Sequence, residues 1–169
     1  MLSWTPSRIA VVCALLLVGS APAFADGWDM SLTGGFVTSG LVDPVYALGT
    51  VPGRPTRVVV RETDRESSAA LGVAMFAEIF HDRARWIAPI AIGLGLRSDA
   101  RATVYMGSAL RLGPHASVAS GVAIGPVAAL PVGLSEGSAV ADTNQLVNLG
   151  TRTKASWFAG VTYTFATLR

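Results

Sequence analysis

Apolar residues recur at every second position in six stretches of the chain. The first mature stretch alternates Trp28, Met30, Leu32, Gly34 and Phe36 with Asp29, Ser31, Thr33 and Gly35. "AALGVAMFAEIF" aligns Leu71, Val73, Met75, Ala77 and Ile79 on one face and leaves Glu78 on the other. "WIAPIAIGLGLR" sets Trp86, Ala88, Ile90, Ile92, Leu94 and Leu96 against Ile87, Pro89, Ala91, Gly93, Gly95 and Arg97. In "RATVYMGSALRL", Ala102, Val104, Met106, Leu110 and Leu112 oppose Arg101, Thr103, Tyr105, Gly107, Ala109 and Arg111. Ala116, Val118, Val122 and Ile124 then oppose Ser117, Ala119, Gly121 and Ala123. The closing "SWFAGVTYTFATLR" puts Trp157, Ala159, Val161, Tyr163 and Phe165 on one side of Phe158, Gly160, Thr162 and Thr164. A period of two over this many residues predicts six β-strands, each with one apolar face.

The short links between these segments fix how they pair. Placing Arg97 opposite Arg101 around "SDA" sets Ile92 against Met106, Leu94 against Val104, and Gly93 beside Tyr105. An aromatic covering a glycine is a device of curved barrel sheets. Placing Leu112 opposite Ala116 around "GPH" matches Met106 with Val122 and Val104 with Ile124. Both registers keep the apolar residues on one face, which a slip of one residue would destroy.

Charge reinforces the pattern. No Asp, Glu, Lys or Arg lies within 67–77, 86–96, 102–110, 112–135 or 155–168. The charges gather in "RPTRVVVRETDRE", "HDRAR", "RSDAR" and 136–154. A soluble sheet would carry polar residues on its outer face. Here the uncharged stretches have about the length of a tilted membrane-crossing strand, roughly 9–11 residues, and the charges sit at their ends. No stretch after the leader has the length and purity of a membrane helix; 112–134 lacks charge but holds four glycines and three prolines.

The N-terminus sets the destination. One basic residue (Arg8), an apolar run over 9–18, and Ala23 and Ala25 flanking Phe24 make residues 1–25 a secretory signal peptide, with cleavage expected after Ala25. The remaining 26–169 forms one domain. Cys13 is the only cysteine and lies in the leader, so disulfides, thiol catalysis and cysteine metal sites drop out of the mature chain. Of the 13 Lys+Arg one is Arg8, leaving near balance with 11 Asp+Glu and no basic footprint for nucleic acid.

An apolar band with Trp28, Trp86, Trp157, Tyr163 and Phe165 near strand ends matches the aromatic girdles of membrane barrels. On these residues the mature chain resembles the small bacterial outer-membrane β-barrel proteins, the OmpA-type and OmpX-type class. The resemblance implies an all-β, antiparallel, up-and-down transmembrane barrel in the outer membrane, among lipid and lipopolysaccharide. The terminal strand ending near Phe165 implies reading by the barrel-assembly machinery. Six strands are clear, but single-chain barrels of the class have at least eight. The expectation is therefore eight, with "TRVVVRET" and part of 126–150 supplying two more; otherwise several chains share one barrel as a homo-oligomer. Residues 42–66 and 126–153 are read as long outer loops, the latter able to plug or cover the mouth.

Candidate chemistry is sparse. Glu78, Arg97, Arg101 and Arg111 face inward and could line the lumen as a relay or selectivity ring, or merely neutralise one another. By the registers Glu78 lies nearer the periplasmic end, and Arg97 and Arg101 nearer the outer end. His115 and Ser117 are the one His-Ser pair at strand spacing. A lipid A-modifying hydrolase would use such a pair, but no neighbouring acid or oxyanion donor is identifiable. "RPTRVVVRETDRESS" reads as a hairpin extension with cross-strand ion pairs, or as an arginine surface for phosphates. No cofactor or metal motif is present. The sequence thus points to a non-catalytic structural, interaction or small-channel barrel. The alternatives are the lipid-modifying enzyme and a secreted soluble barrel carrying an apolar ligand.

Overall fold

The computed structural model describes residues 27–50, 57–62, 68–81, 83, 85–140 and 149–168; the expected signal peptide and the expected cleavage after Ala25 lie outside them. Nine strands follow in chain order: β1 (Trp28–Ser39), β2 (Tyr46–Thr50), β3 (Arg57–Arg61), β4 (Ala70–His81), β5 (Ile87–Arg97), β6 (Ala102–Arg111), β7 (Ala116–Ala129), β8 (Ala139–Val140) and β9 (Gly150–Leu168). Six close into an antiparallel ring in the order β1-β4-β5-β6-β7-β9. The first and last strands of the ring complete it, pairing from Met30↔Leu168 to Ser39↔Phe158. The ring is thus closed by six strands of one chain.

The ring has six strands rather than eight. "TRVVVRET" becomes β3, which pairs with β2 and β8 in a separate three-stranded sheet. Its charges explain the exclusion: Arg57 and Arg61 bound a run of only three valines, too short to supply a full wall strand. The 126–153 region is also less of a loop than its turn formers suggest. β7 and β9 continue as a paired ribbon from Gly125↔Lys154 up to Ala129↔Gly150. Likewise 42–66 contains β2 and β3.

The hairpin registers match the sequence pattern. Ile92 pairs with Met106, Gly93 with Tyr105 and Leu94 with Val104; Met106 pairs with Val122 and Val104 with Ile124. The tight turn between β5 and β6 holds Ala100 at φ 60°, and Ala100 N–H donates to Arg97 O at 2.9 Å. That is the left-handed residue a three-residue hairpin loop requires.

One face assignment fails. Ala88 is buried and Ile87 and Ile90 are exposed, because Pro89 and Ile90 together oppose Ser108 where the β5–β6 register shifts between Ala88↔Ala109 and Ala91↔Gly107. Proline cannot donate to the ladder, and a bulge is where a sheet tolerates it. Below the bulge the alternation is inverted relative to the unbroken reading. A second register shift sits between Leu32↔Ala166 and Thr33↔Thr164, leaving Phe165 as the extra residue, still facing out.

Six strands make a narrow ring, and its inner wall is accordingly built of small residues. Ala88, Ala91, Ala109, Ala119 and Ala123 are all buried. Gly107 and Gly121 face each other across β6 and β7, where a Cβ on either would collide with the backbone oxygen of the opposite strand. Gly93 lies opposite Tyr105 on β6 and opposite Phe76 on β4, and the Phe76 ring packs closest: a Cβ on Gly93 would stand 2.5 Å from Phe76 Cδ1.

Candidate functional site

Alternation along β4 sends Phe76, Glu78 and Phe80 inward and Val73 and Met75 outward. The inward positions of β4, β6 and β9 meet in a layer of three rings. Phe76 and Phe158 stack with centroids 5.8 Å apart, Tyr105 meets Phe158 edge-on at 5.1 Å, and Phe76 and Tyr105 lie 5.8 Å apart. All three are buried. This layer crosses the interior and divides it into two polar compartments, which a wall of small residues alone would have left hollow.

Above the layer sits a network of four charges. Arg97 Nε donates to Asp99 Oδ1 at 3.2 Å, its Nη2 also donates to Asp99, and its Nη1 donates to Pro126 O at 3.2 Å. Arg101 Nη1 reaches both oxygens of Asp43, at 2.7 and 2.8 Å. Asp43 lies 3.5 Å from Arg97 Nη2 and accepts from Ala128 N–H at 2.8 Å. Burial pushes the Asp99 carboxyl up, but the hydrogen bonds from Arg97 and the Arg101 amide and the two guanidinium charges outweigh it, holding it below its ordinary value of 3.8. Two residues before Asp43, buried Leu41 comes within reach of Gly125, so the 40–45 segment folds across this mouth. Beside it a shallow open pocket of about 320 Å³ is lined by Leu41, Asp43, Val45, Leu71, Arg97 and Asp99, among others.

Below the layer the polar groups are mostly uncharged. Glu78 is 0% exposed, and its Oε1 accepts from Thr33 Oγ1 at 2.9 Å and Thr162 Oγ1 at 3.0 Å. Arg111 Nη2 donates to Ser31 Oγ at 2.9 Å, and its guanidinium carbon stands 3.8 Å from the Phe80 ring centroid, a cation–π contact. The four inward charges of the sequence therefore do not form one cluster. Arg97 and Arg101 share the upper network, while Glu78 and Arg111 share the lower compartment. The pattern did not identify Asp43 and Asp99 as the arginines' partners. Asp99 was legible, two residues from Arg97 in the same turn; Asp43 arrives from a loop.

His115 and Ser117 do not assemble. Ser117 is buried inside the ring, and its Oγ has no protein hydrogen-bond partner. His115 precedes β7 and stacks on outward-facing Tyr163 with centroids 5.5 Å apart. His81 meets Trp28 edge-on at 4.7 Å. Among the described residues no group of three His, Cys, Asp or Glu could hold a metal ion, and no helix is long and apolar enough to cross a membrane.

The outer wall is the larger feature. Phe36 is 78% exposed, Leu71 68%, and Met75, Ile92, Leu94, Met106, Leu110, Val122, Val161 and Phe165 are all exposed around the ring. Of the predicted girdle residues, Trp86, Trp157 and Tyr163 are exposed as well, and Trp28 is half-buried against His81. The chain matches no protein-family model, no curated protein and no solved structure.

Proposed function

We propose that the chain is a small β-barrel of a bacterial outer membrane, exported by its signal peptide, with a structural or interaction role and no catalytic one. The observation that carries this reading is the inverted polarity of the ring. Glu78, Thr33, Thr162 and Arg97 are buried inside, while the outside exposes large apolar side chains on every strand of the wall. Monomers in water rarely expose contiguous apolar patches beyond a few hundred Å². Lipid removes the difficulty, and closure leaves no unpaired wall strand within it.

Dimensions agree with a bilayer. The outward apolar run of β5, Ile87 to Leu96, spans ten residues. At about 3.3 Å per residue and a tilt of about 35–45° it rises about 25 Å, the height of the apolar band in such barrels. The aromatic layer supports a closed scaffold over a conducting pore. It also fills the middle of the interior, where the apolar cargo of a soluble carrier would sit, with the rings of Phe76, Tyr105 and Phe158. The separation of His115 from Ser117 gives the lipid-hydrolase reading nothing to build on. Outer-membrane lipid, lipopolysaccharide and the barrel-assembly machinery are then the natural partners.

Gel mobility of the isolated outer-membrane fraction, with and without boiling, tests the reading. A band that shifts on heating supports a detergent-resistant barrel. Recovery of the protein free in the periplasm or medium would overturn the membrane assignment.

A further inference from the structure

Below the aromatic layer, three buried polar atoms lack a protein partner: Glu78 Oε2, Arg111 Nε and Ser117 Oγ. They belong to three different strands, yet the registers bring them together. Ser31 lies directly opposite Glu78 across β1 and β4, and it accepts from Arg111 Nη2 at 2.9 Å. Ser117 lies directly opposite Arg111 across β6 and β7, and opposite Thr162 across β7 and β9. Thr162 Oγ1 in turn donates to Glu78 Oε1 at 3.0 Å. A circuit through Glu78, Thr162, Ser117, Arg111 and Ser31 thus runs around one level of the ring.

A buried carboxylate is costly unless its charge and its lone pairs are answered. Two hydroxyl donors fill only part of the roughly four acceptor sites a carboxylate offers, and both fall on Oε1. The complementary cation is close by, but Ser31 Oγ and the Phe80 ring hold its guanidinium. A metal cation would be repelled by that guanidinium. A molecule that both donates and accepts fits all three atoms: it donates to Glu78 Oε2, accepts from Arg111 Nε–H, and can do either with Ser117 Oγ.

We propose that this level of the ring is a binding site for ordered water, which joins Glu78 to Arg111 as a solvent-bridged ion pair and ties β4 to β6 across the interior. Three polar partners are typical of a buried structural water. The site belongs to the inside of the ring and stands whether or not the outer face meets lipid.

Water-edited solid-state NMR of the folded mature protein in phospholipid vesicles, labelled at Glu, Arg, Phe and Tyr side chains, tests it. Glu78 Cδ and Arg111 Nε should receive magnetisation from water while the rings of Phe158 and Tyr105 stay dark. Glu78 and Arg111 as dark as those rings would overturn the proposal. Glu78→Gln, Arg111→Gln and the double variant supply the energetic arm in urea unfolding. The double variant should fall short of the summed single losses by about tenfold in the folding equilibrium. Strict additivity would contradict a coupled pair. Should a single variant fail to fold, the NMR result on the unaltered chain decides alone.

Discussion

Strand β6 carries two opposite surfaces within ten residues. Inward, Thr103, Tyr105 and Ala109 are buried, Gly107 is half-buried, and Arg111 sits at the lower end; outward, Val104, Met106 and Leu110 are exposed. In a protein whose outside meets water the larger apolar side chains would occupy the buried face. Here the polar and small residues lie inside and the bulky apolar ones outside. On the membrane reading proposed above, two separate demands shape the strand: the inside must fit a narrow ring, and the outside must suit an apolar surrounding.

The comparison can be broken first from the inside. Phe158→Ala removes the ring that touches both other members of the aromatic layer and should cost about 3–5 kcal/mol, read from urea unfolding. A loss under 1 kcal/mol would mean that the layer does not hold the interior together.

The outer face gives the next largest effect. Met106→Arg should cost about 2–4 kcal/mol in lipid vesicles if Met106 stands near the bilayer centre. On a water-facing wall, the same exchange at an exposed position would stay within about 0.5 kcal/mol.

The upper network yields a smaller, pH-dependent effect. Asp99 titrates below its ordinary value in the folded protein. Its contribution is therefore present above the ordinary carboxylate range and is lost as pH falls through the lowered folded value. Asp99→Asn should destabilise the protein at neutral pH, and thermal melts of the two proteins should converge in strong acid. A difference that persists undiminished there would contradict the assigned ion pairing.

The smallest change concerns the turn. Ala100 adopts φ 60°, where glycine is at ease and alanine is not. Ala100→Gly should raise stability by about 0.5 kcal/mol in the same assay, and a loss would show that the loop tolerates alanine without strain.

Much of this architecture was legible because alternation is a local property. Met106 opposite both Ile92 and Val122 follows from residues a few positions apart and from two short turns. The faces of Ile87 and Ala88 were misread because Pro89 forces a bulge that a uniform period cannot express. The strand count was overestimated because Arg57–Arg61 has strand chemistry, and nothing local says that it pairs with Ala139–Val140 outside the ring. Inward Glu78 could be read from its neighbours. Its hydroxyl partners Thr33 and Thr162 lie 45 and 84 residues away, and Asp43 lies 58 from Arg101, so only the closed ring brings them together.

The central claim is that the outer wall faces lipid, and the absence of any cysteine after Cys13 allows clean labelling. A spin label at Met106→Cys, in protein folded into phospholipid vesicles, reports collisions with oxygen, which concentrates in lipid, and with a water-soluble nickel chelate. The account predicts high oxygen and low nickel accessibility at this outward position. Dominant nickel accessibility would place the wall in water and contradict it.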